Sequence, residues 1–209
     1  MINRPALFAA AALRTRWCVV ALALLWGCAL QARAADGEVL VIDKAVSVHG
    51  GGEPLSFTQF ALPVSLPDDW SLTRPRFEGN VWYRTGFDRP AGVDSHEMMA
   101  LYIERACSNV EVYLNGHRIL SGGRMSEPVT RNCYYPQLVT LPAALLQDRA
   151  NLLDLQVQGH SLPRVASRSR AGGLSAIKIG PQAALAADYE ARLFWNVTAV
   201  QLANVVLAV

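Results

Sequence analysis

The chain has 209 residues, enough for one ordinary domain or two small ones with a real core, and too few for a complete multi-domain enzyme. Its 52% apolar and 17% charged residues depart from the roughly 45–50% and about 25% of a soluble domain, so something besides a soluble domain is expected. With residues 1–34 set aside, the remainder carries 15 Lys+Arg (19 minus 4) against 17 Asp+Glu, a net of −2 that argues against a nucleic-acid partner.

At the start of the chain, Arg4, Arg14 and Arg16 form a basic flank, Cys18 to Leu30 an apolar run, and Ala32-Arg33-Ala34 supplies small residues where signal peptidase reads. A signal peptide is expected over 1–34, because the apolar run is shorter than the ~20 residues that span a bilayer. Export places the rest in an oxidising compartment. There Cys107 and Cys133, the only cysteines beyond that segment, make a disulfide the simplest reading. A reduced buried pair is the other. His49, His96, His117 and His160 are scattered singly, so no metal site and no cofactor is expected.

From 36 to 181 the chain reads as short strands between turn signals: Val39 to Asp43, Leu55 to Leu62, Val81 to Phe87, then Met98 to Arg105. In the last of these Met99, Leu101 and Ile103 fall on one face, and Ala100, Tyr102 and Glu104 on the other. Val110, Val112 and Leu114 repeat the alternation, and Asn115-Gly116 turns it into His117 to Leu120, since both central residues of a type I′ turn need positive φ. After a loop from Ser121 to Asn132 come Gln137 to Leu141, the alternating Leu153, Leu155 and Val157, and Leu174 to Ile179. Seven or eight such strands predict an all-β sandwich.

The succession Gly79-Asn80-Val81-Trp82-Tyr83-Arg84, Val110 to Gly116, Leu141-Pro142-Ala143-Ala144-Leu145-Leu146 and Asn151 to Val157 resembles the galactose-binding-like jelly roll. That module occurs beside glycoside hydrolase family 2 barrels and in extracytoplasmic sensing regions of bacterial membrane receptors. Gly172-Gly173-Leu174-Ser175, Ile179-Gly180-Pro181 and Tyr189 to Trp195, followed by an apolar run, resemble the junction between sensing domain and first membrane helix in sensor histidine kinases of the 7TM-receptor type. The resemblance implies a signal peptide (1–34), a periplasmic jelly-roll β-sandwich (36–181), a juxtamembrane connector (182–192) and the start of a transmembrane helix (193–209). It further implies placement at the inner membrane with 35–192 in the periplasm, a ligand that is a small molecule or carbohydrate, and a homodimer if the parent is a kinase. The run from Leu193 holds no charge, proline or glycine; its amides Asn196, Gln201 and Asn204 favour the rival reading, an amphipathic soluble helix.

No catalytic constellation stands out, and no enzyme activity is expected of these residues. His49-Gly50-Gly51-Gly52 is similar to an esterase oxyanion loop but lacks the G-x-S-x-G serine. Glu78, Glu104 and Glu111 are the candidates for paired carboxylates, against the simpler reading of solvated strand residues. Binding has better candidates: Trp70 beside Asp68-Asp69, Arg124 and Arg131 in the long loop, and Tyr134-Tyr135 beside Cys133, since flat aromatics stack on sugars and arginine forks grip carboxylates. Besides the sensing module, two readings stay open: a carbohydrate-binding accessory module of a glycosidase, and a structural or partner-binding envelope domain.

Overall fold

The computed structural model describes residues 38–50, 61–93, 96–168 and 171–208; the expected signal peptide, Gly51-Gly52 and the greater part of the expected strand Leu55 to Leu62 lie outside the described residues. In chain order the strands are β1 (Leu40–Ile42), β2 (Lys44–His49), β3 (Leu62–Ser65), β4 (Asp68–Asp69), β5 (Gly79–Phe87), β6 (Met99–Ile103) and β7 (Ala106–Cys107). They continue as β8 (Asn109–Leu114), β9 (His117–Ser121), β10 (Gln137–Leu141), β11 (Asn151–Gly159), β12 (Gly173–Leu174) and β13 (Ile177–Pro181). The helices are α1 (Trp70–Thr73), α2 (Gln182–Leu193) and α3 (Ala199–Leu207), with a π-helical turn, Phe194–Thr198, between the last two.

The strands form antiparallel sheets of six (β3-β2-β5-β11-β8-β9), four (β1-β13-β6-β10) and three (β4-β12-β7) strands. The alternation of β11 does the central work. Leu153, Leu155 and Val157 face inward and meet Val81 and Tyr83 of β5 and Val110, Val112 and Leu114 of β8, while Met99, Leu101, Ile103, Ile177 and Ile179 close the same core from the four-stranded sheet. A fully buried aliphatic side chain contributes about 1.5–3 kcal/mol. The hairpin after β8 turns at Asn115 (φ 50°) and Gly116 (φ 84°), the left-handed pair that a type I′ turn needs. Asn115 then ties this turn to the next: its Oδ1 accepts from Leu152 N at 2.7 Å and its Nδ2 donates to Leu145 O at 2.7 Å. Asn151 is fully buried and closes the same corner with bonds to both main-chain groups of Gln147.

The expected all-β jelly roll with the start of a transmembrane helix is corrected. The fold is mixed, with three separate sheets and a helical C-terminal segment. That segment packs on the outer face of the four-stranded sheet, where Leu185 is buried against Ala100 and Tyr102. Both faces of β6 are therefore covered. The uncharged run from Leu193 is divided among the end of α2, the π-helical turn and α3. Among the described residues no helix is long and apolar enough to cross a membrane, and the expected membrane helix over 193–209, with the inner-membrane placement that rested on it, is withdrawn.

Candidate functional site

Two clefts and one side-chain cluster hold the chemistry. The larger cleft, about 750 Å³, opens at the β3 edge of the six-stranded sheet between Ser47, His49, Leu62 and Val64 on the strands and Pro67, Asp68, Thr73 and Arg74 on the α1 segment. Its floor is a buried network. Asp68 accepts from Arg74 Nη2 (2.5 Å) and Tyr83 Oη (2.6 Å) on Oδ2, and from Thr73 Oγ1 (2.7 Å) on Oδ1. Trp70 Nε1 donates to Tyr83 Oη at 2.6 Å. Burial, and then the Asp68 charge, push the Tyr83 phenol well above its ordinary value, so it stays protonated and donates. Arg74 has only donors, so in its 3.2 Å contact with His49 Nε2 the imidazole accepts and its proton resides on Nδ1. Partial burial and the Arg74 charge lower the His49 pKa. These charges are spent on one another: the network clamps residues 66–77 to the sandwich and offers a ligand little.

The second cleft, about 400 Å³, lies between α2 and the outer face of the four-stranded sheet, lined by Tyr102, Glu104, Lys178, Asp188, Arg192 and Trp195. Arg192 Nη2 donates to Glu104 Oε1 and Lys178 Nζ to Asp188 Oδ2, each at 2.5 Å, and Lys178 Nζ sits 5.9 Å from the centre of the Tyr102 ring. Burial, and then the Glu104 charge, raise the Tyr102 pKa. Trp195, 69% exposed, stands edge-on to Phe194 with ring centroids 5.2 Å apart. The π-helical turn carries both; such turns are frequent at functional sites.

Of the residues singled out in the sequence, Trp70 is wholly buried, between the backbones of Gly159 and Gly172, where a side chain would strike its ring. Cys107 and Cys133 are joined by a disulfide. The bond holds Tyr134 (58% exposed) and Tyr135 (45%) at the base of β10. Tyr134 O accepts from Asn196 Nδ2 at 3.1 Å, so these tyrosines adjoin the Trp195 turn. Arg124 and Arg131 are exposed on the β9–β10 loop, where Arg124 N donates to Thr130 Oγ1, and neither lines the groove. Trp195, Arg192 and Tyr102 are residues that sequence reasoning missed as a site; the available signal was the aromatic stretch Tyr189 to Trp195, which resembles a junction with a membrane helix.

The carboxylates considered for hydrolysis do not pair. Glu104 is held by Arg192, and Glu111 accepts from Tyr113 Oη at 2.8 Å and Ser121 Oγ at 3.2 Å. Glu78 is bonded by Arg164, which draws its pKa down, the direction opposite to that of a general acid. Glu78 instead lies near Glu127 and His160.

No protein-family model and no curated protein sequence matches the chain. Solved structures do. A beta-glucuronidase from Faecalibacterium prausnitzii matches with a TM-score of 0.52 at 15% identity, over 70% of this chain and 32% of its own. A beta-glycosidase from Bacteroides vulgatus matches with a TM-score of 0.51 at 21% identity, over 68% of this chain and 20% of its own. The fold is one that glycosidases carry. The likeness is of fold alone, and the chain spans about a third or less of those proteins. It corrects the expected sensing region of a membrane histidine kinase, and the signalling role and kinase homodimer that went with it. The flat expectation of no enzyme activity is withdrawn as well, since it rested on missing motifs alone.

Proposed function

We propose that this chain is a glycosidase-associated domain that binds carbohydrate in the groove between α2 and the four-stranded sheet. The observation that carries the reading is the exposed Trp195 ring beside a 400 Å³ groove walled by Tyr102 and two ion pairs, on a fold shared with glycosidases. A pyranose presents an apolar face to an aromatic ring and a rim of hydroxyls to charged groups; here the ring is Trp195 and the rim partners are Arg192, Glu104, Lys178 and Asp188. The volume falls within the roughly 300–1,000 Å³ of small-molecule sites. Tyr134 and Tyr135 extend the aromatic surface beyond the groove and belong to the same proposal; Arg124 and Arg131 lie on the same β9–β10 loop.

The test is binding of the full chain to a panel of soluble oligosaccharides by calorimetry, with nitrophenyl glycosides alongside to register hydrolysis. Trp195→Ala is expected to weaken binding by about 1–3 kcal/mol, the range found where a nucleic-acid base stacks on an aromatic side chain. Unchanged affinity in that variant, or no binder in the panel, removes the proposal; turnover of a nitrophenyl glycoside would move the chain from binding to catalysis.

A further inference from the structure

Three side chains from widely separated segments meet beside the end of β11. Glu78 immediately precedes β5, Glu127 lies in the β9–β10 loop and His160 follows β11, and their ligand atoms all lie within 4.8 Å of one another. His160 is the fixed member: it is 7% exposed, its backbone N–H donates to Ala171 O at 2.8 Å, and its Nδ1 stands 3.4 Å from Glu127 Oε1. The carboxylates are the adjustable members, both exposed, Glu127 the more so at 66%. A cation already sits among them, for the exposed Arg164 guanidinium pairs with Glu78 and also feels the charge of Glu127.

We propose that Glu78, Glu127 and His160 form a zinc-binding site, with Arg164 as the resident cation that the metal displaces. One imidazole nitrogen and two carboxylate oxygens are a ligand set that a borderline cation accepts and that leaves a fourth, tetrahedral position open. Bonds of about 2.0–2.2 Å put tetrahedral ligands about 3.4 Å apart, so the exposed carboxylates need close only a short distance onto a fixed imidazole. Two carboxylates and a neutral imidazole balance the double charge of zinc. Arg164 is then surplus, and its long exposed side chain is free to swing into solvent. This site lies apart from the Trp195 groove and shares no lining residue with it, so it stands or falls separately from the carbohydrate reading.

The experiment is calorimetric titration of the chelator-treated full chain with zinc alone, paired with thermal melts. One zinc per chain and a raised melting midpoint are expected. Glu127→Gln, an exposed change that leaves folding intact, is expected to weaken binding about tenfold or more, since even supporting partners of metal ligands are worth about 10–100-fold. Arg164→Gln is expected to tighten binding about two- to fivefold, the factor that one exposed ion pair is worth. His160→Ala should abolish it. Absence of zinc binding in the parent chain overturns the proposal, and so does full affinity in Glu127→Gln or weakened affinity in Arg164→Gln. Calcium raising the midpoint as much as zinc also overturns it, because a hard cation has no use for the imidazole.

Discussion

The carboxylate of Asp68 accepts from Arg74, Tyr83 and Thr73, and its side chain has no exposed surface. Removing it strands a mostly buried guanidinium and the buried Tyr83 hydroxyl at once, so Asp68→Ala should destabilise the fold by about 3–5 kcal/mol in denaturant titration. A loss under about 1 kcal/mol would mean the network contributes no more than a surface pair. His49 gives a pH-dependent counterpart. Its lone pair on Nε2 accepts from Arg74, and its pKa in the folded chain is lowered from 6.5 by partial burial and by the Arg74 charge. The neutral imidazole is thus favoured by folding: its contribution is complete above pH 6.5 and is lost as pH falls below that value and through the lowered folded pKa. The denaturation midpoint of the parent chain should therefore fall more steeply on acidification below pH 6.5 than that of His49→Gln. Parallel curves would show that His49 protonation is not linked to folding.

At the scale of elements, the alternations in β6, β8 and β11 and the Asn115-Gly116 turn were legible because strand periodicity and turn chemistry are local. What covers each face was not. Ala100 and Tyr102 fall on the face opposite Met99, Leu101 and Ile103, yet that face is buried too, under a helix whose single buried residue is Leu185. Trp70 sits in a polar neighbourhood in sequence and reads as a surface aromatic; Gly159 and Gly172, far along the chain, bury it by having no side chain. His160 is far from Glu78 and Glu127 in sequence for the same reason: the pairing of β5 with β11 brings Glu78 to His160, and the β9–β10 loop delivers Glu127. The β9–β10 loop is the element on which a prediction rests. The Cys107–Cys133 bond, at a sequence separation of 26, ties this loop to β7, and Asn132 N donates to Ser108 O at 2.7 Å beside it. Closing a loop of that length is worth about 3 kcal/mol in the chain-entropy model. Reduction should lower the unfolding free energy by about that amount while leaving the far-ultraviolet circular dichroism of the sheets unchanged below the transition. An identical denaturation midpoint with and without reductant would show that the bond adds nothing to stability.

For the whole molecule, the two large sheets share one core, and the helical segment adds a second, smaller contact on the outer face of the four-stranded sheet. The groove exists only because that contact holds: Tyr102, Glu104 and Lys178 come from the sheet side, Asp188, Arg192 and Trp195 from the helical segment. Leu185 fixes the two together, packed against Ala100 and Tyr102 with Val39, Leu138 and Tyr189 around it. Leu185→Ala removes a buried anchor from this contact, and core truncations of this kind cost about 2–5 kcal/mol. Two variants then separate architecture from recognition. Leu185→Ala should lower stability and weaken carbohydrate binding together, because α2 loosens and both walls of the groove move apart. Trp195→Ala, at an exposed ring, should weaken binding while leaving the denaturation midpoint within the ±0.5 kcal/mol of an ordinary surface change. Binding by Leu185→Ala at parental affinity, measured where that variant remains folded, would show that the groove does not depend on helix docking and that Trp195 acts as an isolated aromatic.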